Sequence, residues 1–285
     1  MNYSEISIIE DANIYQSKAG NGINDGKYFR SHMLIEYIAN PKKFKRKYID
    51  GAIKEKRKQC FEKGTAVHTY VLDGQEAFEK NYSIGYPLNK QGNEFGADTK
   101  AVEEHISLMA LAGKKVVGQK EYQDILRINE EIKSHKEASE IIKTGLNERV
   151  LRANYEGVDC QIRIDNYTDK FGMCDLKKTR DMTSFIYDAG GDYGYWIQAG
   201  FYAKIFEEAT KEKARFNWIA VEDVEPFEVC FYPLDDSHLD YAKRLVETGI
   251  LEYKESIKNN SFLTGREGLQ IATWWRAETE EGNIQ

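Results

Sequence analysis

Midway along the chain the spacing of apolar residues changes from helical to strand-like, and this change limits the possible folds more than any other feature. Residues 148–156, 158–166 and 172–178 alternate apolar and polar side chains over strand lengths. Turn residues separate them, Tyr155-Glu156-Gly157 first and Asp169 to Gly172 second. Three strands joined so closely predict an antiparallel meander. Before it the apolar spacing is helical, over about 32–39 with Ser31 as cap, then from Pro41 to about Tyr48, then over about 58–73, 98–112 and 119–144. After it come a helix over about 195–209, strands at about 214–222 and 227–232, and a helix from Asp236 to Lys258. The expected fold class is therefore α/β (α+β), a central mostly antiparallel mixed sheet flanked by helices. At 285 residues this is expected to form one domain, with a helical front at about 30–145, a sheet core at 147–233, and a C-terminal helix and tail at 235–285. Trp274-Trp275 is expected to dock the C-terminus ahead of a loose acidic tail.

Bulk properties narrow the function classes. Apolar residues make up 41% and charged residues 31%, a soluble globular balance, and no apolar run approaches the ~20 residues that span a bilayer. The N-terminus lacks the basic and apolar regions of a signal peptide, so a cytoplasmic location is expected. Cys60, Cys160, Cys174 and Cys230 are scattered, which disfavours a zinc or iron–sulfur site; Cys160 and Cys174 read as small buried hydrophobes. A net charge of −7 disfavours a protein that coats nucleic acid, but not a local contact. Lys42, Lys43, Lys45, Arg46, Lys47, Lys54, Lys56 and Arg57 form a basic stripe that reads equally as phosphate contact or as a solvated surface.

The second and third strands carry the chemistry. A hairpin folded about Lys170 sets Asp165 opposite Asp175, with Lys177 pointing the same way. Ile162, Ile164, Cys174 and Leu176 are then expected to share the opposite, core face. Two facing carboxylates repel unless a cation lies between them, and a divalent metal is the natural one. The triplet alone also fits an ordinary charged strand. Three features add to it: His68, one turn after Gly64 on an apolar helix; Gln198 and Tyr202, four apart on one helix face; and Glu148, an acid entering the first strand. Tyr193, Tyr195, Trp196 and Phe201 surround this region with rings suited either to core packing or to stacking on unpaired bases.

The ordered set G-T-x-x-H (Gly64 to His68), R-x-D (Arg163 to Asp165), D-x-K (Asp175 to Lys177) and Q-x-x-x-Y (Gln198 to Tyr202) resembles the PD-(D/E)XK nuclease superfamily. Within it the chain resembles the RecE, or exonuclease VIII, family of phage-type recombination exonucleases, from about Ser31 to Tyr202. Ser31-His32-Met33-Leu34, Pro41-Lys42-Lys43-Phe44 and Leu72 to Phe78 add to the likeness. The resemblance implies His68, Asp165, Asp175 and the Leu176 carbonyl as ligands of Mg²⁺, for which Mn²⁺ can substitute. It gives Lys177 a role in activating water or steadying phosphorane charge, and Glu148 an extra acidic position. It sets Gln198 and Tyr202 in the site and against DNA, with Arg163, Lys178 and Thr179 also contacting nucleic acid. Two departures stand out: Ile164 replaces the usual proline before the first aspartate, and Lys178 is an additional lysine.

By the same resemblance the activity is a Mg²⁺-dependent exonuclease that degrades linear double-stranded DNA from its ends, 5′ to 3′. It leaves 3′ single-stranded tails for a single-strand annealing protein of the RecT type, and a ring or tetramer of the chain is expected. The other readings are a catalytically inactive DNA-binding protein of the same fold, a repair or CRISPR-type nuclease, and a restriction-like endonuclease. The scattered cysteines count against the repair type, and the want of a base-reading element against the endonuclease.

Overall fold

The computed structural model describes residues 8–10, 12–23, 25–53, 59–190 and 194–265. Strand β1 (Ile8–Ile9) and helix α1 (Ala12–Ser17) lead into α2 (Ser31–Ala39) and α3 (Pro41–Phe44), which widens into a π turn over Lys45–Ile49. Helix α4 (Gln59–His68) ends in a second π turn, Thr69–Asp73, before α5 (Gln75–Asn81) and β2 (Tyr82–Ile84). Next come α6 (Lys100–Leu111), β3 (Lys115–Val117), α7 (Gln119–Ser134) and α8 (Lys136–Thr144). The meander is β4 (Leu146–Tyr155), β5 (Val158–Thr168) and β6 (Gly172–Thr179). The chain continues through α9 (Phe185–Gly190), α10 (Tyr195–Thr210), β7 (Phe216–Glu222), β8 (Val229–Pro233) and α11 (Asp236–Asn259).

Among the described residues the main sheet runs β1-β4-β5-β6-β7-β8, and β2 and β3 form a small parallel pair of their own. All neighbours in the main sheet are antiparallel except β6 and β7. Parallel neighbours need a crossover, and α10 lies on it. The expected mixed, mostly antiparallel sheet between helices is the fold observed. Glu156 and Gly157 turn β4 into β5 with φ of 51° and 82°, the left-handed pair a two-residue hairpin loop requires. The β5–β6 ladder pairs Thr168 with Gly172, Tyr167 with Met173 and Asn166 with Cys174, so the hairpin is centred on Lys170 as its spacing predicts.

Helices cover both faces of the sheet. On one face α2, α10 and α11 bury Leu34, Phe201, Phe206 and Tyr253 against Ile162, Phe216 and Trp218. On the other, α4, its π turn, α7 and α8 bury Val67, Val71, Ile125, Ile128 and Ile141 against Cys174, Leu176, Ile219 and Val221. Strand β7 is buried at every position because it feeds both layers. Cys160 and Cys174 are buried, as expected, and Cys230 is half-buried.

Several expectations need correction. Helix 119–144 is two helices, because His135 adopts extended backbone (φ −79°, ψ 122°) and its Nδ1 accepts from Ala138 N at 3.3 Å, capping α8. Ser31 is the first residue of α2; Arg30 holds the cap position and makes no side-chain cap. Strand β1, the β2–β3 pair and the short helices α1, α5 and α9 were not legible. Ile162 and Ile164 do not share a face with Cys174 and Leu176, for the first pair packs beside α10 and the second beneath α4 and α7. The cause is a phase shift in β5: Ile164 and Tyr167, three residues apart, both enter the α10-side core, so strict alternation fails between them. Trp274, Trp275 and the tail lie outside the described residues, as do Lys54, Lys56, Arg57 and Tyr193.

Candidate active site

The phase shift in β5 falls at Asp165. The β5–β6 ladder stops at Asn166 and Cys174, and beyond it Asp165 Oδ2 accepts from the Leu176 backbone N–H at 2.9 Å. On the other side of β5, Asn147 pairs with Asn166 and Arg149 with Ile164, which would set Glu148 opposite Asp165. Glu148 instead leaves the ladder with φ +56°. A left-handed non-glycine residue costs on the order of 1–3 kcal/mol, and such strain gathers where side chains are being aimed. Both neighbours of Asp165 thus release their regular pairing, opening the sheet at one point.

Asp175, Lys177 and Gln198 interlock beside this opening. Gln198 Nε2 donates to Asp175 Oδ1 at 3.0 Å, while its Oε1 accepts from Lys177 Nζ at 2.9 Å. Lys177 Nζ lies 2.6 Å from Asp175 Oδ2, a close ion pair. Asp175 is only 3% exposed; burial, assisted by Asp165, pushes its carboxyl up to about 6 despite Lys177. Burial would lower Lys177, but Asp175 and Asp165 outweigh it and hold the ammonium above its usual range. Lys177 is therefore a persistent cation, 4.6 Å from the Tyr195 ring centre.

The remaining residues close around these. His68 Nδ1 stands 3.5 Å from Asp165 Oδ2. Arg163 pairs with Glu148, whose carboxyl is pushed up to about 8 by burial and by Asp165. Tyr202 donates its hydroxyl to Arg163 O at 2.9 Å, tying α10 to β5, and burial holds it protonated. Lys178 pairs with Asp223, and Thr179 Oγ1 donates to Asp181 O at 3.1 Å. All of the site residues expected from sequence except Asp175 line one cleft of about 1460 Å³; Asp175 lies behind Lys177 and Gln198.

The cleft also contains residues that sequence reasoning passed over. Arg30, Lys115 and Arg180 add positive charge to its wall, with Tyr15 and His32 among its rings. Asp73 joins the acids, its carboxyl raised by burial while Arg163 and His68 oppose the shift. An α-helical reading hides Asp73, because residues five apart turn about 140° away from each other on such a helix. The π turn narrows that offset. Gly64 opens onto the cleft, and a Cβ there would meet no heavy atom within 4 Å. The described part of the basic stripe lies elsewhere: Lys45 pairs with Asp50 and Lys47 with Glu36, and none of residues 42–47 lines the cleft.

Among the described residues, no group of three or more His, Cys, Asp and Glu side chains is arranged to hold a metal ion. Asp165 and Asp175 are not ladder partners as the hairpin count predicts: Asp165 Oδ2 is taken up by the Leu176 N–H and Asp175 Oδ2 by Lys177. No helix among the described residues is long and apolar enough to cross a membrane.

A crystal structure of a candidate exonuclease from Eubacterium rectale has a similar fold, with a TM-score of 0.59 and 15% identity over 82% of this chain and 82% of that one. An alkaline exonuclease from Laribacter hongkongensis aligns over 57% of this chain and 84% of its own, with 13% identity and a TM-score of 0.29. No curated protein matches the sequence. Residues 36–267 match the family described as PDDEXK-like domain of unknown function (DUF3799), and the chain belongs to that family.

Proposed function

We propose that the cleft hydrolyses phosphodiester bonds of linear double-stranded DNA from its ends, in the 5′ to 3′ direction, with Mg²⁺ or Mn²⁺. One observation carries the reading: His68, about a hundred residues away in sequence, meets Asp165, and Asp175, Lys177 and Gln198 interlock beside them, where the sheet opens into a cation-walled cleft. The donor set suits a hard divalent ion that tolerates one imidazole, namely His68, Asp165, Asp175 and the Leu176 carbonyl. The buried carboxyl of Asp175, raised to about 6, is the charge such an ion would relieve. When bound there, such an ion would supply an acidified water near neutral pH and offset phosphoryl charge.

The chain's own groups supply the rest. Lys177, held charged, faces developing negative charge at the phosphorus, where one such group is worth ~10²–10³-fold in rate. Gln198 keeps Lys177 and Asp175 in fixed relation by using both ends of its amide. Tyr202 fixes the Arg163 backbone, and the Arg163 side chain pairs with Glu148 at the cleft wall. Arg30, Lys115, Lys178 and Arg180 are placed to draw the phosphate backbone along the cleft. The 3′ tails produced would suit a single-strand annealing partner of the RecT type, and a ring or tetramer would hold the chain on its duplex.

The test is a linear duplex labelled separately at each 5′ and 3′ end, incubated with Mg²⁺ or with EDTA. Metal-dependent release of the 5′ label supports the proposal. Release of the 3′ label first reverses the polarity, and cutting of closed circles makes the protein an endonuclease. Binding without cutting would leave a DNA-binding protein that keeps the fold.

A further inference from the structure

The opening at Asp165 is tied to the π turn after α4 by two asparagines. Asn166 and Asn147 are ladder partners immediately beside Asp165 and Glu148. Asn166 Nδ2 donates to Asn147 Oδ1 at 2.6 Å, and Asn147 Nδ2 donates to Leu72 O at 2.5 Å. Leu72 O can only accept, so it fixes which end of the Asn147 amide faces it, and that in turn fixes Asn166. Gly145 makes room for the relay: a Cβ there would stand 2.0 Å from Asn166 Oδ1. Leu72 lies within the π turn that begins after His68 and ends at Asp73. The wider i→i+5 coil of a π turn narrows the angle between residues five apart, and His68 and Asp73 both line the cleft. Asn147 therefore joins the release point of the sheet to the one helical segment whose geometry aims the imidazole.

We propose that Asn147 is a positioning residue: it clamps the π turn Thr69–Asp73 to the opened strands and so sets His68, with Asp73, against Asp165. A π turn makes poorer use of its backbone than an α-helix and is rare, so it persists where an outside contact holds it. The Asn147 amide is such a contact, and it reaches the turn from the strand that also presents Glu148. The clamp itself is independent of the nuclease reading; only its consequence for metal affinity rests on that reading.

The test compares the full chain with Asn147→Ala, alone and combined with His68→Ala. The first readout is hydrogen exchange without metal. Amides of residues 69–74 are expected to exchange about 10-fold faster or more in Asn147→Ala, while the β5–β6 hairpin keeps its protection. The second is Mn²⁺ binding by titration calorimetry. Loss of a supporting contact behind a ligand costs about 10–100-fold in metal affinity, and the same substitution should add less than about 2-fold once His68 is alanine. Unchanged exchange in the π turn overturns the proposal, as does equal loosening of turn and hairpin, or an equal loss of affinity in both backgrounds. A wild-type chain that binds no Mn²⁺ would sink the metal-dependent nuclease reading, and the exchange readout would still decide the clamp. Should Asn147→Ala not fold, Asn147→Asp keeps the volume and the acceptor for Asn166 but has no donor for Leu72 O, and carries the same test.

Discussion

Gly64→Ala separates the stability of α4 from the use of the cleft. Gly64 lies inside the helix Gln59–His68, one turn before His68, and an added Cβ would point into open cleft space. Alanine in a helix interior is more stable than glycine by about 0.5–1 kcal/mol, chiefly because the unfolded chain has less freedom to lose. Unfolding entropy of ~2.1 cal/mol/K per residue makes a chain of this length gain about 1–2 °C in Tm. The methyl group gains no burial, since nothing lies within contact distance of it. If a DNA strand passes against Gly64, the same methyl must be accommodated by substrate, and an overpacked contact costs about 1–3 kcal/mol, or about 5- to 150-fold in affinity. Thermal unfolding of the free protein and binding of a tailed duplex in EDTA measure the two effects separately. A raised Tm with unchanged DNA affinity would refute Gly64 as the point of close approach. A lowered Tm would refute the claim of open space above the helix.

Three further substitutions probe the site and its support. Lys177→Ala should lower cleavage by on the order of 10²-fold or more while the protein still binds duplex ends, and full activity in that variant removes Lys177 from the chemistry. Asp175→Asn should flatten the pH dependence of stability in the metal-free protein. With the folded carboxyl raised by burial to about 6, its penalty is absent below pH ~4 and grows as pH rises through 6, and the amide carries none of it. Urea titrations at pH 4.5 and 7 should therefore show a smaller fall in stability for the variant than for the wild type, and parallel falls would contradict the assigned burial cost. Gly200→Ala should do the reverse of Gly64→Ala: its Cβ would stand 2.4 Å from the Ala242 backbone, so α10 and α11 must separate at a cost of about 1–3 kcal/mol, read as a lowered midpoint in urea.

The meander and its hairpin were legible because their signals are local. Gly157 and Gly172 mark turns, alternation marks strands, and the count about Lys170 sets the register within the hairpin. That alternation could not reveal its own failure at Asp165, which arises when a carboxylate takes a backbone N–H that a regular ladder would have used. His135 broke a long amphipathic run because a histidine can cap a helix from extended backbone, a role composition does not reveal. Asp73 was hidden for a related reason, since helical periodicity assumes α geometry and the π turn does not obey it. The basic stripe misled in the other direction, its lysines at 45 and 47 being committed to Asp50 and Glu36, with none of residues 42–47 lining the cleft. Of the cations that do line the cleft, Arg30, Lys115 and Arg163 stand far apart in the chain, and only Lys177, Lys178 and Arg180 form a short cluster.

The single parallel junction in the sheet has a consequence for how the site comes together. Because β6, α10 and β7 form one contiguous crossover, Asp175, Lys177 and Gln198 span 24 residues and can meet as soon as that unit forms. Asp165 follows from a hairpin closing onto it, at a similarly short range. His68, by contrast, is about a hundred residues away and arrives only when the helical front docks on the opposite face. A nascent or locally opened chain would therefore hold its lysine and carboxylates together while the imidazole is still absent, so docking of the front acts as the final step in arming the cleft.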